Sequence, residues 1–164
     1  MTSPSSPEPS PSAPPDPDRP EDGGPAAWFD AVAAEHAAIY GYGLVSAHSL
    51  PTRNELVSAA LAEHRDRRER AVALMTEQSI TVPLPAAGYR LPMVVDSPTS
   101  AAKLAVRMEN DCAVAWRAVL EQTDSERDRE FAATALTQCA VLAARWRQVL
   151  GAWPPTQAFP GGSE

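Results

Sequence analysis

Three side chains of metal-ligand type, Glu35, His64 and Glu109, fall near the middle of three separate apolar stripes, and Gln138 sits at the matching height of a fourth. Carboxylate oxygen and imidazole nitrogen are the donors that hold iron, manganese or zinc. Converging on one site, Glu35, His64 and Glu109 would make a divalent-metal centre, with Glu63 or Gln138 in support. The same residues without a metal must find counter-charges, because an isolated carboxylate in apolar surroundings is expensive. In that second chemistry Glu35 and Glu109 join a buried polar network with Arg68, Arg145 and Gln138. Arg107 is a further cationic candidate, and the Tyr40 and Tyr42 hydroxyls complete the set. The supply of arginines at the stripe edges favours this second reading. Hydrolase chemistry has no support, since neither Gly-x-Ser-x-Gly nor His-Glu-x-x-His occurs. Gly41-Tyr42-Gly43 lacks the strand of a phosphate loop and reads instead as a place for close helix approach or a bend.

Four helical segments must position these residues. The first spans about residues 25–48 and carries Trp28, Val32, Glu35, Ile39, Tyr42 and Val45 at spacings of four and three. The second spans about 51–79, opened by a Thr52/Glu55 capping box, with Val57, Leu61, His64, Arg68, Ala71 and Met75 in line. The third starts at Asp96-Ser97-Pro98 and reaches about Gln122, its stripe being Ala105, Met108, Cys112, Ala115 and Val119 with Glu109 at the edge. The fourth starts near Thr123 with Glu126 as capping partner and ends at Gly151, carrying Phe131, Ala135, Gln138, Leu142, Arg145 and Val149. Two or three residues separate the first and second helices, and likewise the third and fourth, so each pair is an antiparallel hairpin. The stretch ITVPLPAAGYRLPMVV between the hairpins is long enough to run from one end of a bundle to the other. Two hairpins with such a crossover are the connectivity of ferritin-like four-helix bundles, and the predicted fold class is all-α of this kind.

Around this bundle, residues 1–24 form a Pro/Ser/acid tail, expected to be disordered, and residues 154–164 a short C-terminal extension to the 25–153 bundle. Nine of the 17 prolines lie in the first 25 residues. The net charge of −7 and pI near 5.0 argue against nucleic acid and anionic membrane surfaces as partners. Glu8, Asp16, Asp18, Glu21 and Asp22 against Arg19 put −4 of that charge in the tail, leaving −3 for the remainder. The run from His64 to Arg70 interleaves acids with bases and reads as a solvated, salt-bridged face. Cys112 and Cys139 are too few for a disulfide framework and read as reduced core residues. With no secretory signal and no spanning segment, the expected compartment is the cytoplasm.

The segments AEHAAIYGYG, EHRDRRE, RMENDCAVAWR and ARWRQVLGAWPPTQAFPG resemble an uncharacterised ferritin-like family, a domain of unknown function from high-GC bacteria. The resemblance covers about residues 26–160 and implies a ferritin-like bundle with no established activity. The wider superfamily's di-iron pattern needs one glutamate on each of two helices and Glu-x-x-His on each of the others. Glu35 and Glu109 match the single-glutamate helices and His64 one histidine, whereas Leu61, Gln138 and Val141 depart from the pattern. The expected function is therefore that of a non-enzymatic bundle without a cofactor, acting as a homodimer or through a protein partner, with Tyr40 or Trp153 as interface anchors. The alternative is a metal-binding, redox-type protein using Glu35, His64 and Glu109 with iron or another divalent metal.

Overall fold

The computed structural model describes residues 16–162. Its helices are α1 (Gly23–His48), α2 (Asn54–Glu77), α3 (Pro98–Gln122) and α4 (Glu126–Val149), with no strand among the described residues. Local chemistry explains most boundaries. At α3 the Ser97 hydroxyl accepts from the Ser100 amide and the Ser100 hydroxyl accepts from the Ser97 amide, a reciprocal cap preceding Pro98 in the first turn. At α4 the cap is Ser125, which accepts from the Asp128 amide at 3.3 Å. Glu126 and Asp128 add negative charge where the helix dipole favours it. Gly151, at φ +67°, follows the end of α4 in the left-handed conformation that glycine adopts without strain.

Two predicted caps are displaced. Thr52 lies inside a 3-10 turn, Pro51–Arg53, closed by the Arg53 amide donating to the Leu50 carbonyl, so α2 starts at Asn54 without a Thr52/Glu55 box. Thr123 stays extended, and α4 starts three residues later than expected, at Glu126.

The helices form an antiparallel four-helix bundle. Gly23 and Gly24 at the start of α1 meet Gln122 at the end of α3, while Gln78, just past α2, donates to Asp128 on the first turn of α4. At the opposite end Leu50, Pro98, Trp146 and Leu150 gather around one cavity. The connection from α2 to α3 therefore travels the length of the bundle, as expected. It does so against α1: the Pro83 carbonyl lies 3.2 Å from His36 Nε2, and the Tyr89 ring packs at a tilt against Tyr40 with centroids 5.2 Å apart. After α4 the chain returns along α3, where Gly161 sits against the Ala113 carbonyl.

The core is built from alanines and a few large side chains. Trp28, Trp116, Trp146 and Tyr42 are fully buried, and Trp28 meets Trp116 edge-to-face at 5.6 Å. Gly41 lets α1 and α3 approach closely; a Cβ there would collide with the Met108 sulfur. Of the expected N-terminal tail, residues 1–15 lie outside the described residues. The described part turns at Asp16–Arg19, and Arg19 reaches Asp30 on α1 through two 2.7 Å hydrogen bonds.

Candidate functional site

Helices α1, α2 and α3 send polar groups to the same point in the core. Glu35, His64 and Glu109 are all completely buried. The His64 ring stands between the two carboxylates: its Nδ1 is 2.6 Å from Glu35 Oε2 and its Nε2 is 3.0 Å from Glu109 Oε1. The two nitrogens lie on different edges of the imidazole, so the carboxylates approach from different sides instead of converging on a shared point. Arg67, 2% exposed, donates from Nη1 to Glu35 Oε1 at 2.9 Å. The Trp116 indole donates to the same oxygen at 2.6 Å. Tyr42 donates to Glu109 Oε1 and accepts from the Trp146 indole at 2.9 Å. Arg67 Nε donates to Gln138 Oε1 at 3.2 Å, and Nη1 also lies 3.1 Å from Cys139 Sγ.

The electrostatics follow from this geometry. Burial by itself would push the Glu35 carboxyl up, but His64, Arg67 and Trp116 together hold it below its ordinary value. Burial likewise opposes the charged imidazole, yet hydrogen bonds and charges from Glu109 and Glu35 carry His64 from 6.5 to about 10. At neutral pH both ring nitrogens therefore donate. Two carboxylates are balanced by one imidazolium and one guanidinium, and the cluster is neutral as a whole. The Tyr42 hydroxyl is raised well above its usual range by burial and by Glu109, so it remains a donor. Cys112 is raised well above its usual range by its hydrogen-bonding neighbour Cys139 and by burial, which keeps it a thiol. Both cysteines are free and buried.

Placement differs from expectation at several residues. Arg67, and not Arg68, enters the core; Arg68 is half-buried and pairs with its neighbour Glu69 at 3.4 Å. Relative to His64, residue 67 is turned about 60° one way and residue 68 about 40° the other. Only the first rotation leads to both Glu35 and Gln138. Arg145 is exposed, and Trp146 fills the core at that level. The buried line of α4 runs through Ala132, Ala135, Cys139, Leu142 and Trp146, with Gln138 half-buried on its edge. A further heptad drifts about 20°, enough to carry Arg145 off that edge into water. Arg107 pairs on the surface with Asp111, and Tyr40 with Tyr89. Glu63 is 3.6 Å from Arg67 Nη2 at the rim of the cluster.

A carboxylate oxygen of Glu35, a ring nitrogen of His64 and the sulfur of Cys112 lie within 4.8 Å of one another. This trio puts Cys112, read from the sequence only as a core residue, in the place expected of Glu109. Against a di-iron centre the donors do not fit. Leu61 and Val141 supply no ligand, both His64 nitrogens face carboxylates, and the Arg67 cation is seated on Glu35. Glu109 Oε2 and Arg67 Nη2 are buried without hydrogen-bond partners.

With this arrangement in view, residues 27–164 match the family model described as a domain of unknown function, DUF4439. The chain belongs to the DUF4439 family. A solved structure described as a conserved hypothetical protein, rv2844, from Mycobacterium tuberculosis is similar to it at 56% identity and a TM-score of 0.75. The match covers 76% of this chain and 94% of that one. No curated protein matches. The DUF4439 match runs through residues 154–164 as well as the four helices. No helix among the described residues is long and apolar enough to cross a membrane.

Proposed function

We propose that this DUF4439 protein is a non-enzymatic, ferritin-like bundle of the cytoplasm that acts by association, as a homodimer or with a protein partner. The observation that carries the reading is Arg67 Nη1 at 2.9 Å from Glu35 Oε1 inside a closed, charge-balanced cluster. A guanidinium there supplies the positive charge that a metal would otherwise bring to the carboxylates, and the core becomes a structural element. Function then moves to the surface, where Trp153 is 89% exposed and Phe159 is 73% exposed. Tryptophan is among the residue types most enriched at the energetic centres of interfaces, which makes Trp153 the anchor to test. Sedimentation of the full chain across a wide concentration range tests this. Dimerisation, or recovery of a defined partner, that is weakened by Trp153→Ala supports the reading, and a strict monomer without any partner overturns it.

The second reading, a single divalent ion held by Glu35 and His64, is supported by the proximity of Cys112 to both and by the unpartnered Glu109 Oε2. It requires His64 to give up a proton and the ion to tolerate Arg67. Elemental analysis of protein purified without chelator decides between the two. Near one metal per chain, lost in Glu35→Ala, favours the ion; near zero after anaerobic ferrous iron favours the structural core.

A further inference from the structure

Helices α1, α2 and α3 close around the cluster, but α2 and α4 leave between them a groove of about 440 Å³. Its floor is Arg67, Leu74 and Ala135, all buried; its walls include Arg70 and Ala73 from α2 and Phe131 and Thr134 from α4. This volume is within the range of about 300–1,000 Å³ that holds small ligands. The groove pairs an apolar surface with an incompletely used cation. Arg67 spends Nε and Nη1 inside the protein, yet its buried Nη2 has no hydrogen-bond partner and approaches only Glu63, at 3.6 Å. A buried guanidinium nitrogen that donates to nothing is costly and invites an acceptor. Arg70 adds a second cation, lying over the Phe131 ring at 5.3 Å, with only an exposed 3.4 Å pair to Asp66. Of the other charged groups, Arg127 is committed to Glu77 at 3.0 Å, and Glu130 brings the groove to three arginines against two glutamates. Arg67 is itself matched by Glu35, so the attraction for an acceptor is local, from the unpartnered Arg67 Nη2 and the exposed Arg70, and not a net surplus of charge.

We propose that this groove binds a small amphipathic monoanion, a carboxylate on an apolar tail. The carboxylate meets Arg67 and Arg70, and the tail lies along Phe131, Leu74 and Ala135. The site is independent of the association reading, which rests on Trp153 and Phe159 elsewhere on the surface. Phe131 packs against Trp28 at 5.7 Å and Trp116 at 5.4 Å, so an occupant also alters the surroundings of two tryptophans and their emission reports it.

The test titrates decanoate into the full chain, followed by tryptophan fluorescence and calorimetry. Decan-1-ol and inorganic phosphate serve as the tail-only and charge-only probes. The expected result is saturable decanoate binding with Kd below about 1 mM, and decan-1-ol and phosphate each weaker by about tenfold or more. Arg70→Gln, an exposed position outside the cluster, weakens decanoate by about three- to tenfold. Ala73→Trp, on the exposed wall, fills the groove and abolishes binding while the circular dichroism melt stays unchanged. The proposal is overturned if decanoate fails to saturate, if decan-1-ol or phosphate binds as tightly, or if Ala73→Trp binds decanoate as the parent does.

Discussion

The seam between α1 and α3 and the seam between α2 and α4 are built on opposite principles. Along the first, Gly41 of α1 lies tight against Met108 of α3, Trp28 meets Trp116 edge-to-face, and the two helices bury small residues such as Ala31, Ala38, Ala101 and Ala105. Along the second, arginines and glutamates line an open groove. The polar cluster links the two, running from Glu109 on α3 through His64 and Glu35 to Arg67 and Gln138 at the groove. The difference teaches where tolerance to change should lie. The closed seam is short of space and rich in buried charge, so substitution there acts on stability. The open seam has room, so substitution there acts on binding.

The largest break in this contrast is Glu35→Ala. It leaves His64 and Arg67 facing each other in the core without their shared carboxylate, and chemical denaturation should show a loss of about 3–5 kcal/mol. Gly41→Val should come next: the added side chain must displace Met108, costing about 1–3 kcal/mol, and Met108→Ala in the same chain should recover part of the loss. Gly161→Ala is milder. At φ +67° Gly151 and at φ +74° Gly161 both hold left-handed backbone, but only at Gly161 would a Cβ meet the Ala113 carbonyl, at 2.6 Å. The expected cost is about 1 kcal/mol, with faster amide exchange confined to the C-terminal return. Thr134→Ala in the groove should change stability by less than about 0.5 kcal/mol, which sets the lower end of the comparison.

The same contrast has a pH signature. His64 titrates at 6.5 when unfolded and at about 10 when folded, so its contribution is complete below pH 6.5 and is lost as pH rises through about 10. Glu35, held below 4.5, contributes above that value and loses its contribution as pH falls through its lowered folded value. Urea midpoints should therefore form a plateau in mild acid and fall on both sides. His64→Phe should remove the alkaline fall if the imidazole is its source, whereas Arg70→Gln should leave it in place.

The fold was largely legible because helix starts, a 3.5-residue stripe period and loop lengths are local properties. Ser97-Pro98 and the length of the crossover segment carried the third helix and the hairpin connectivity to within a few residues. The middle position of Glu35, His64 and Glu109 was legible for the same reason, since each interrupts a stripe at comparable height. Partners were harder to read. Choosing between Arg67 and Arg68 depends on rotating α2 by tens of degrees, which the stripe alone leaves open because both flank its centre. The sequence carries no sign that the indole nitrogens of Trp116 and Trp146 reach Glu35 and Tyr42. Thr52 and Thr123 show the limit of cap reading: the motif was present, but a 3-10 turn in one case and an extended residue in the other moved the helix start past it.

The division of the charged cluster between the two hairpins bears on how the chain assembles. The α1–α2 hairpin holds Glu35, His64 and Arg67, and so carries a surplus positive charge on its inner face; the α3–α4 hairpin holds Glu109 and carries the complementary negative one. Neither half can dehydrate its inner face alone at tolerable cost. The halves must meet while still wet, and the bundle should fold and unfold as one cooperative unit, with no stable half-molecule. A chain cut within the crossover segment, between Leu84 and Leu91, would then yield two fragments that remain open separately and become helical together.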